Sequence, residues 1–115
     1  MKTLILLVSS YLLLNAKSCD KTAVAGTPEC ILEMIAGFKA APVQKPAASV
    51  YQYDYHGQKV YYVTAPCCDQ FNKLYSADCN LICHPDGGIT GKGDGKCPDF
   101  NQAKSNEVLI WKDDR

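Results

Sequence analysis

The stretch that decides the fold is residues 50–64, VYQYDYHGQKVYYVT. Two runs rich in β-branched and aromatic residues flank His56 and Gly57, and a short glycine-containing turn between such runs is typical of a β-hairpin. Tyrosines alternate with other residues in the first run, so one face of that strand is aromatic. The sequence therefore predicts a hairpin with strands over residues 50–55 and 58–64.

The hairpin carries tyrosines on both faces. Tyr51, Tyr53 and Tyr55 are expected on one face of the first strand, whereas Tyr61 and Tyr62 are expected on opposite faces of the second. Tyrosine rows commonly pack across strands or under a helix and keep their hydroxyls in water. The alternative interpretation is a stacking platform, in which the three tyrosines of the first strand are candidate binding residues for a sugar or an aromatic ligand.

A helix is predicted upstream of the hairpin. Thr27 is a candidate N-cap, Pro28 suits the first helical position, and the acidic residue that follows suits the positive end of the helix dipole. Gly37 and Pro42 limit the helix to residues 28–39. Apolar residues recur within it at helical spacing, at Ile31, Met34, Ile35 and Phe38. This stripe is expected to face a core.

Shorter apolar runs follow the hairpin. The sequence predicts short strands around Tyr75 and around Leu81–Ile82, and a final strand at Val108–Trp111. Together with the helix and the hairpin they give an α+β domain, in which one N-terminal helix packs on a small, mainly antiparallel sheet. Residues 28–115 are expected to form this single domain, stapled by about three disulfides.

Seven cysteines in 115 residues are the second decisive feature. Six of them can form three disulfides, at a density typical of small exported domains, where cross-links restrict the unfolded chain. The six are Cys30, Cys67, Cys68, Cys79, Cys83 and Cys97. Adjacent Cys67 and Cys68 are expected to bond in different directions rather than to each other, one towards Cys30 and one towards a glycine-rich loop. The sequence leaves the connectivity open.

The seventh cysteine, Cys19, follows a stretch typical of a signal peptide. Lys2 supplies a positive charge, residues 4–14 supply an apolar run, and small residues precede Cys19. The run is too short to span a membrane, which takes about 20 residues. We expect residues 1–18 to be a signal peptide, Cys19 to carry the lipid anchor of a cell-envelope lipoprotein, and residues 19–27 to be a tether. The alternative is a soluble periplasmic or secreted protein cut at the same bond.

Size and charge exclude several classes of protein. Cleavage would leave 97 residues, which is enough for one small domain. It would remove two of the twelve basic residues and none of the twelve acidic ones, so the net charge would become −2. A chain without a basic stretch gives no reason to expect nucleic-acid binding.

A loop from His84 to Pro98 holds five glycines and few apolar residues. Such a segment cannot pack a core, so we expect it to be ordered only where cross-links hold both ends. Asp86 and Asp94 are candidate ligand-binding residues, and with Asp99 they offer oxygens of the kind that calcium binds. Glycine with aspartate is also ordinary turn chemistry, and EF-hand spacing is absent. We therefore expect no metal and no cofactor.

Other chemical motifs fail on spacing. Gly91-Lys92 is not a P-loop, because Asp86 and Gly93 occupy the positions of a required glycine and a required Ser or Thr. The cysteines and His84 lack the paired spacing of a zinc site, and no Cys-x-x-Cys pair indicates redox catalysis. No nucleophile with an adjacent base is visible, so we expect the protein not to be an enzyme.

Several segments resemble an uncharacterised protein family. They are YDYHGQKVYYV (53–63), CCDQF (67–71), CNLIC (79–83), PDGGITGKGDGKCPDF (85–100) and the IWKD ending. The family consists of small exported, often lipid-anchored proteins of Bacteroidota-type bacteria that carry a domain of unknown function. The resemblance covers residues 28–113. It implies export and brings no known activity.

These features favour a non-enzymatic binding module of the cell envelope. A rigid scaffold, a long constrained loop and a tyrosine-bearing hairpin suit a partner such as another envelope protein or a glycan. Two alternatives stay open. One is a secreted protease inhibitor that offers Ile89-Thr90 or Lys92 on a braced loop, and the other is a calcium-binding loop module.

Overall fold

The computed structural model of the protein describes residues 24–115. The expected signal peptide, the expected lipid-bearing Cys19 and most of the expected tether lie outside this range. Among the described residues, no helix is both long enough and apolar enough to cross a membrane.

The described residues form two helices and five strands. In chain order these are α1 (Glu29–Ala40), β1 (Ser49–Tyr55), β2 (Gln58–Val63), β3 (Lys73–Ser76), β4 (Leu81–Cys83), α2 (Phe100–Ala103) and β5 (Ser105–Lys112). All neighbouring strands are antiparallel, and their order in the sheet is β4-β3-β2-β1-β5. The predicted α+β class is confirmed.

The β1–β2 hairpin forms where the sequence predicts it. Tyr55 pairs with Gln58 across the turn. The two turn residues, His56 and Gly57, have φ angles of 49° and 76°. A two-residue type I′ turn needs positive φ at both central positions, and glycine and histidine tolerate this region better than most residues.

One face of the sheet packs against α1. Ile31 and Ile35 of the predicted apolar stripe are buried. They share a core with Ala48, Val50, Tyr61, Val63, Ile110 and Trp111. Burying one large apolar side chain contributes about 1.5–3 kcal/mol. The stripe therefore holds α1 to the sheet, as expected from its spacing.

The opposite face of the sheet carries a second core, which contains Phe100 of α2. With Phe100 it includes Tyr53, Tyr55, Val60, Leu74, Cys83 and Cys97. The sequence did not predict α2, because a four-residue helix is a single turn and leaves no periodic signal. The sheet is covered on both faces, by α1 on one and by α2 with the glycine-rich loop on the other.

The two ends of α1 differ in their hydrogen bonding. The expected capping role of Thr27 is wrong, because Pro28 occupies the N-cap position and the Thr27 hydroxyl donates back to Val24 O at 2.6 Å. At the other end, the Arg115 guanidinium donates to two carbonyl oxygens of the last turn at 3.0 and 3.1 Å. A helix leaves its last carbonyls without intrahelical partners, so Arg115 satisfies two of them.

Both edges of the sheet are poor templates for a further strand. β4 at one edge has only three residues. β5 at the other edge pairs with β1 through two register shifts, between Val50 and Tyr51 and between Gln52 and Asp54. Such irregularities bend an edge strand and interrupt its row of free backbone groups.

Three disulfides cross-link the domain, as expected in number. They are Cys30–Cys79, Cys67–Cys68 and Cys83–Cys97. The expectation that Cys67 and Cys68 bond in different directions is therefore wrong. The start of α1 lies against the turn before β4, and the end of β4 faces the Phe100 core, so the other four cysteines pair among themselves.

Candidate functional site

The glycine loop, residues 84–98, is ordered by bonds along its whole length. Cys83–Cys97 closes its base, as the sequence requires for order. Within the loop, the Gly93 amide donates to Gly87 O at 3.1 Å and the Gly91 amide donates to Gly88 O at 3.2 Å. The loop therefore has one folded shape rather than an open, flexible course.

Two glycines of this loop lie where no side chain fits. A Cβ on Gly93 would overlap the backbone of His84, Pro85 and Asp86, and Gly93 has a φ of +73°. A Cβ on Gly87 would lie 2.5 Å from Gln70 O, with a φ of +83°. Only glycine combines positive φ with so close a backbone approach.

Asp94, one of the predicted ligand-binding residues, braces the loop from within. Its carboxylate accepts from the amides of Lys96 and His84, both at 3.0 Å, and lies 2.9 Å from His84 Nδ1. These bonds, first of all the one from the Lys96 amide, lower the pKa of Asp94 to about 2. Asp94 is thus ionised and internally bonded at neutral pH.

Asp86, the other predicted loop carboxylate, joins the loop to the sheet. It accepts hydrogen bonds from the Tyr62 hydroxyl at 2.8 Å and from Asn72 Nδ2 at 2.6 Å. Burial, and next the bond to Asp86, raise the pKa of Tyr62. The hydroxyl therefore stays protonated and donates, and the carboxylate is the acceptor.

The predicted tyrosine row lies inside the second core. Tyr53 and Tyr55 are only 5% and 7% exposed, and both rings meet the Phe100 ring edge-on. Tyr51 stacks beside Tyr53 and is half-buried. The structure thus places the rings of Tyr53 and Tyr55 in packing contacts, which was the commoner of the two interpretations.

The hydroxyls of Tyr53 and Tyr55 donate to carboxylates. Tyr53 donates to Glu107 at 2.5 Å, and Tyr55 donates to Asp99 at 2.6 Å. Burial is the main cause that raises the pKa of Tyr55 to about 12, and the Asp99 carboxylate adds to it. The pKa of Asp99 is lowered, chiefly by the Tyr55 hydroxyl and then by His56 at 2.6 Å.

The glycine loop also presents one apolar side chain to solvent. Ile89 is 88% exposed, although it follows Gly88 and lies inside the Gly88–Gly91 turn. Phe71, 41% exposed, packs its ring against Gly88. Among the large apolar side chains exposed in residues 24–115, Ile89 has the greatest exposed fraction, and the next are 48% exposed.

A groove of about 190 Å³ opens beside Phe71. Met34 and Phe38 of α1 form one wall, and Val63 and Tyr75 of the sheet form another. The remaining lining includes Gln44, Thr64, Ala65, Pro66, Gln70, Phe71 and Lys73. The groove is mainly apolar, with amide and lysine side chains at its margin.

A segment that we call the cystine turn, residues 65–72, connects this groove with the glycine loop. The Ala65 amide donates to Asn72 Oδ1 at 2.7 Å, which ties the two ends of the turn together. The Gly88 amide donates to Gln70 O at 3.1 Å. Cys67 and Cys68 lie between, and both are exposed.

The titratable side chains form separate pairs rather than one cluster. His56 bonds to Asp99, and His84 bonds to Asp94. Within residues 24–115, no group of three or more His, Cys, Asp or Glu side chains is arranged to hold a metal ion. The carboxylates proposed for a calcium loop, those of Asp86, Asp94 and Asp99, instead bond to different protein donors.

The fold and the loop define a small, disulfide-rich α+β domain, and a family model matches it. The model is described as "Domain of unknown function (DUF6970)" and covers residues 36–113, more than half of the chain. The chain belongs to this family, which confirms the expected membership in a domain family of unknown function. No curated protein and no solved structure matches the chain.

Sequence reasoning missed several residues of the candidate site. Phe71, Phe100 and Glu107 were not singled out, and Ile89 entered only as part of an inhibitor loop. The position of Phe71, three residues after Cys68, was a usable signal, since a cross-link restricts the chain near it. Exposure itself is a tertiary property, and no local pattern reports it.

Proposed function

We propose that the protein is a non-enzymatic, disulfide-stabilised binding module of the cell envelope that contacts a partner protein through the glycine loop. The observation that carries the proposal is Ile89, which is 88% exposed on a turn closed by the bond from the Gly91 amide to Gly88 O. A preordered loop loses little conformational entropy on binding, so more of the contact energy appears as affinity. An apolar side chain on such a loop suits a pocket in a partner.

A protein partner fits the loop better than a glycan does. Sugar recognition uses open aromatic faces, and the rings of Tyr53 and Tyr55 are buried against Phe100. The exposed side chain of the loop is aliphatic instead. An apolar side chain can fill the buried, apolar centre of a contact with another protein surface.

The proposed location rests on the cysteines and on the N-terminal pattern. Three disulfides are typical of a protein that matures in an oxidising compartment outside the cytoplasm. The signal-peptide pattern before Cys19 adds lipid anchoring to the proposal. Intact-mass measurement of the protein purified from its native membrane tests this step, because diacylated Cys19 and an unmodified N-terminus differ in mass.

A photo-crosslinking residue at position 89, introduced in the native organism, tests the binding role. The matched control carries the same residue at position 109, because Leu109 is also an exposed aliphatic side chain, 48% exposed on edge strand β5. We expect an adduct with one partner protein that is specific to position 89. Excess purified domain should compete for it, and an Ile89→Asp domain should compete at least about 30-fold less well, as for a central anchor.

Two results would overturn the binding proposal. One is the absence of any adduct specific to position 89. The other is equal competition by the wild-type and Ile89→Asp domains. Because Ile89 has almost no contact with the core, near-ultraviolet circular dichroism of the variant should match that of the wild type and exclude misfolding as the cause.

A protease inhibitor is the second candidate that the loop supports. Lys92 is exposed on the braced segment closed by Cys83–Cys97. An inhibitor should slow a trypsin-like protease at stoichiometric concentration and remain intact. Cleavage after Lys92 or Lys96 without inhibition excludes this candidate and leaves the binding module untouched.

A further inference from the structure

The Cys67–Cys68 disulfide differs from the other two in its exposure. Both of its residues are exposed, whereas Cys83 and Cys97 are 1% and 7% exposed and lie in the second core. Thiol–disulfide exchange requires a thiolate to reach a sulfur atom, so access selects which disulfide reacts first. Cys30 and Cys79 are partly buried, so Cys67–Cys68 is the most accessible of the three disulfides.

The same disulfide encloses almost no chain. It joins neighbouring residues, whereas Cys30–Cys79 and Cys83–Cys97 span separations of 49 and 14 residues. A cross-link stabilises a fold mainly by restricting the unfolded chain, and the restriction grows with the loop that it closes. Opening Cys67–Cys68 therefore leaves the two stabilising cross-links and both cores in place.

The Cys67–Cys68 disulfide lies in a segment whose backbone is bonded to the glycine loop. On one side, the Cys67 amide donates to Lys45 O at 2.6 Å. On the other, Gln70 accepts from the Gly88 amide, and Phe71 forms a β-bridge with Gly87. The disulfide thus lies within a short segment whose backbone pairs with the glycine loop.

The groove depends on the same segment. Ala65, Pro66, Gln70 and Phe71 line it, and all four belong to the cystine turn. A change in the backbone conformation of residues 67–68 would therefore alter both the lining of the groove and the support of the glycine loop.

We propose that Cys67–Cys68 is a redox-active disulfide, reduced in the folded protein by a protein dithiol and reformed by the reverse exchange with an oxidised protein dithiol, and that its state sets the rigidity of the glycine loop. A thiolate of the dithiol attacks one sulfur of the pair, and the bond between the two sulfurs breaks. The second thiolate of the dithiol then resolves the mixed disulfide. The dithiol leaves oxidised by two electrons, and Cys67 and Cys68 remain as two thiols after taking up two protons. This inference does not rest on the partner proposed above.

The test is a titration of the purified, oxidised domain with dithiothreitol, followed by alkylation and peptide mass mapping. We expect the untreated protein to show no alkylation among its six domain cysteines. The first two thiols to appear should be those of Cys67 and Cys68, while near-ultraviolet circular dichroism stays native. Hydrogen exchange of the Gly88 amide should then accelerate at least 10-fold, with exchange in the β1–β2 hairpin unchanged.

A Cys67→Ser/Cys68→Ser variant is the matched control. It should show the faster Gly88 exchange without reductant and no further change when the reductant is added at the same concentration. Alkylation of Cys67 and Cys68 before reduction, prior reduction of Cys30–Cys79 or Cys83–Cys97, or unchanged Gly88 exchange would each overturn the inference. None of these measurements uses a partner, so a negative crosslinking result at Ile89 leaves this test intact.

Discussion

Substituting Gly93 with alanine tests whether the glycine loop has one fixed shape. The methyl group would overlap backbone atoms of His84 and Pro85, which cannot rotate away as a side chain can. Gly91 provides the matched control, because its φ of +75° equals that of Gly93 within 2°, while nothing lies within 4 Å of its Cβ position. The difference between the two variants therefore isolates the steric overlap from the backbone strain.

The structure sets the expected magnitudes. Alanine at either position adopts a left-handed backbone, which costs about 1 kcal/mol. Gly93→Ala adds overpacking, which costs about 1–3 kcal/mol in well-packed sites. We therefore expect Gly91→Ala to lower the free energy of unfolding by about 1 kcal/mol and Gly93→Ala to lower it by about 2–4 kcal/mol.

Urea unfolding and hydrogen exchange measure the two parts of this prediction. Urea midpoints report the loss of global stability. The Asp94 amide, which donates to His84 O at 2.9 Å, and the Gly93 amide report whether the loop opens locally. Gly93→Ala should expose both amides and Gly91→Ala should not. Equal urea midpoints together with equal exchange in the two variants would refute the close approach on which the loop structure depends.

Two further perturbations have outcomes fixed by the structure. Replacing Cys83 and Cys97 together with alanine should lower the free energy of unfolding in urea by about 3 kcal/mol, the value for a loop of this length; a loss below about 1 kcal/mol would contradict this. Replacing Arg115 with glutamine should destabilise the domain more at neutral pH than in strong acid, because Arg115 lowers the pKa of buried Asp113, whereas its bonds to the carbonyls of Phe38 and Lys39 do not depend on pH. A carboxylate with a lowered pKa stabilises the fold above its unfolded pKa and loses that contribution as the pH falls through its folded pKa. Unfolding measured from pH 7 to pH 2 should therefore show the stability difference between the two proteins shrinking as the pH falls, down to the part that comes from the lost bonds to α1, and a constant difference would contradict the ion pair.

The elements that the sequence predicts well are those made by neighbouring residues. The hairpin follows from period-two alternation around His56 and Gly57, and both strands and the turn lie where that pattern puts them. α1 follows from its apolar stripe and from Pro42, and its observed bounds, Glu29–Ala40, are within one residue of the predicted ones. β5 begins at Ser105, earlier than predicted. No pattern in the sequence indicates this start, because the first residues of the strand are polar and exposed.

The disulfide pattern and the second core depend on distant residues, and sequence reasoning failed on part of each. Nothing local indicates that Cys30 reaches Cys79, so Cys67 and Cys68 were wrongly assigned to other partners. Phe100 is the centre of the packing on its side of the sheet, yet it lies in a segment without apolar periodicity. Local patterns carry no information about contacts of this kind.

In the candidate site, too, features set by neighbouring residues were predictable and features set by distant residues were not. The need for a cross-linked base was readable from five glycines between His84 and Pro98. The roles of Asp86 and Asp94 as hydrogen-bond acceptors were not readable from the sequence, because their donors come from the sheet and from the far end of the loop. The exposure of Ile89 could not be read from the sequence either, since isoleucine is more often buried.

The two longer disulfides also determine how the domain would bear a pulling force applied between residue 24 and residue 115. Tension would pass along α1 only as far as Cys30, cross to Cys79, follow β4 to Cys83, and cross again to Cys97. The covalent path between the two ends therefore contains about a third of the described residues, and only these can be drawn out. The hairpin and the part of the glycine loop between Cys83 and Cys97 lie off this path, so the domain could be stretched without unravelling the surface that we propose to bind a partner.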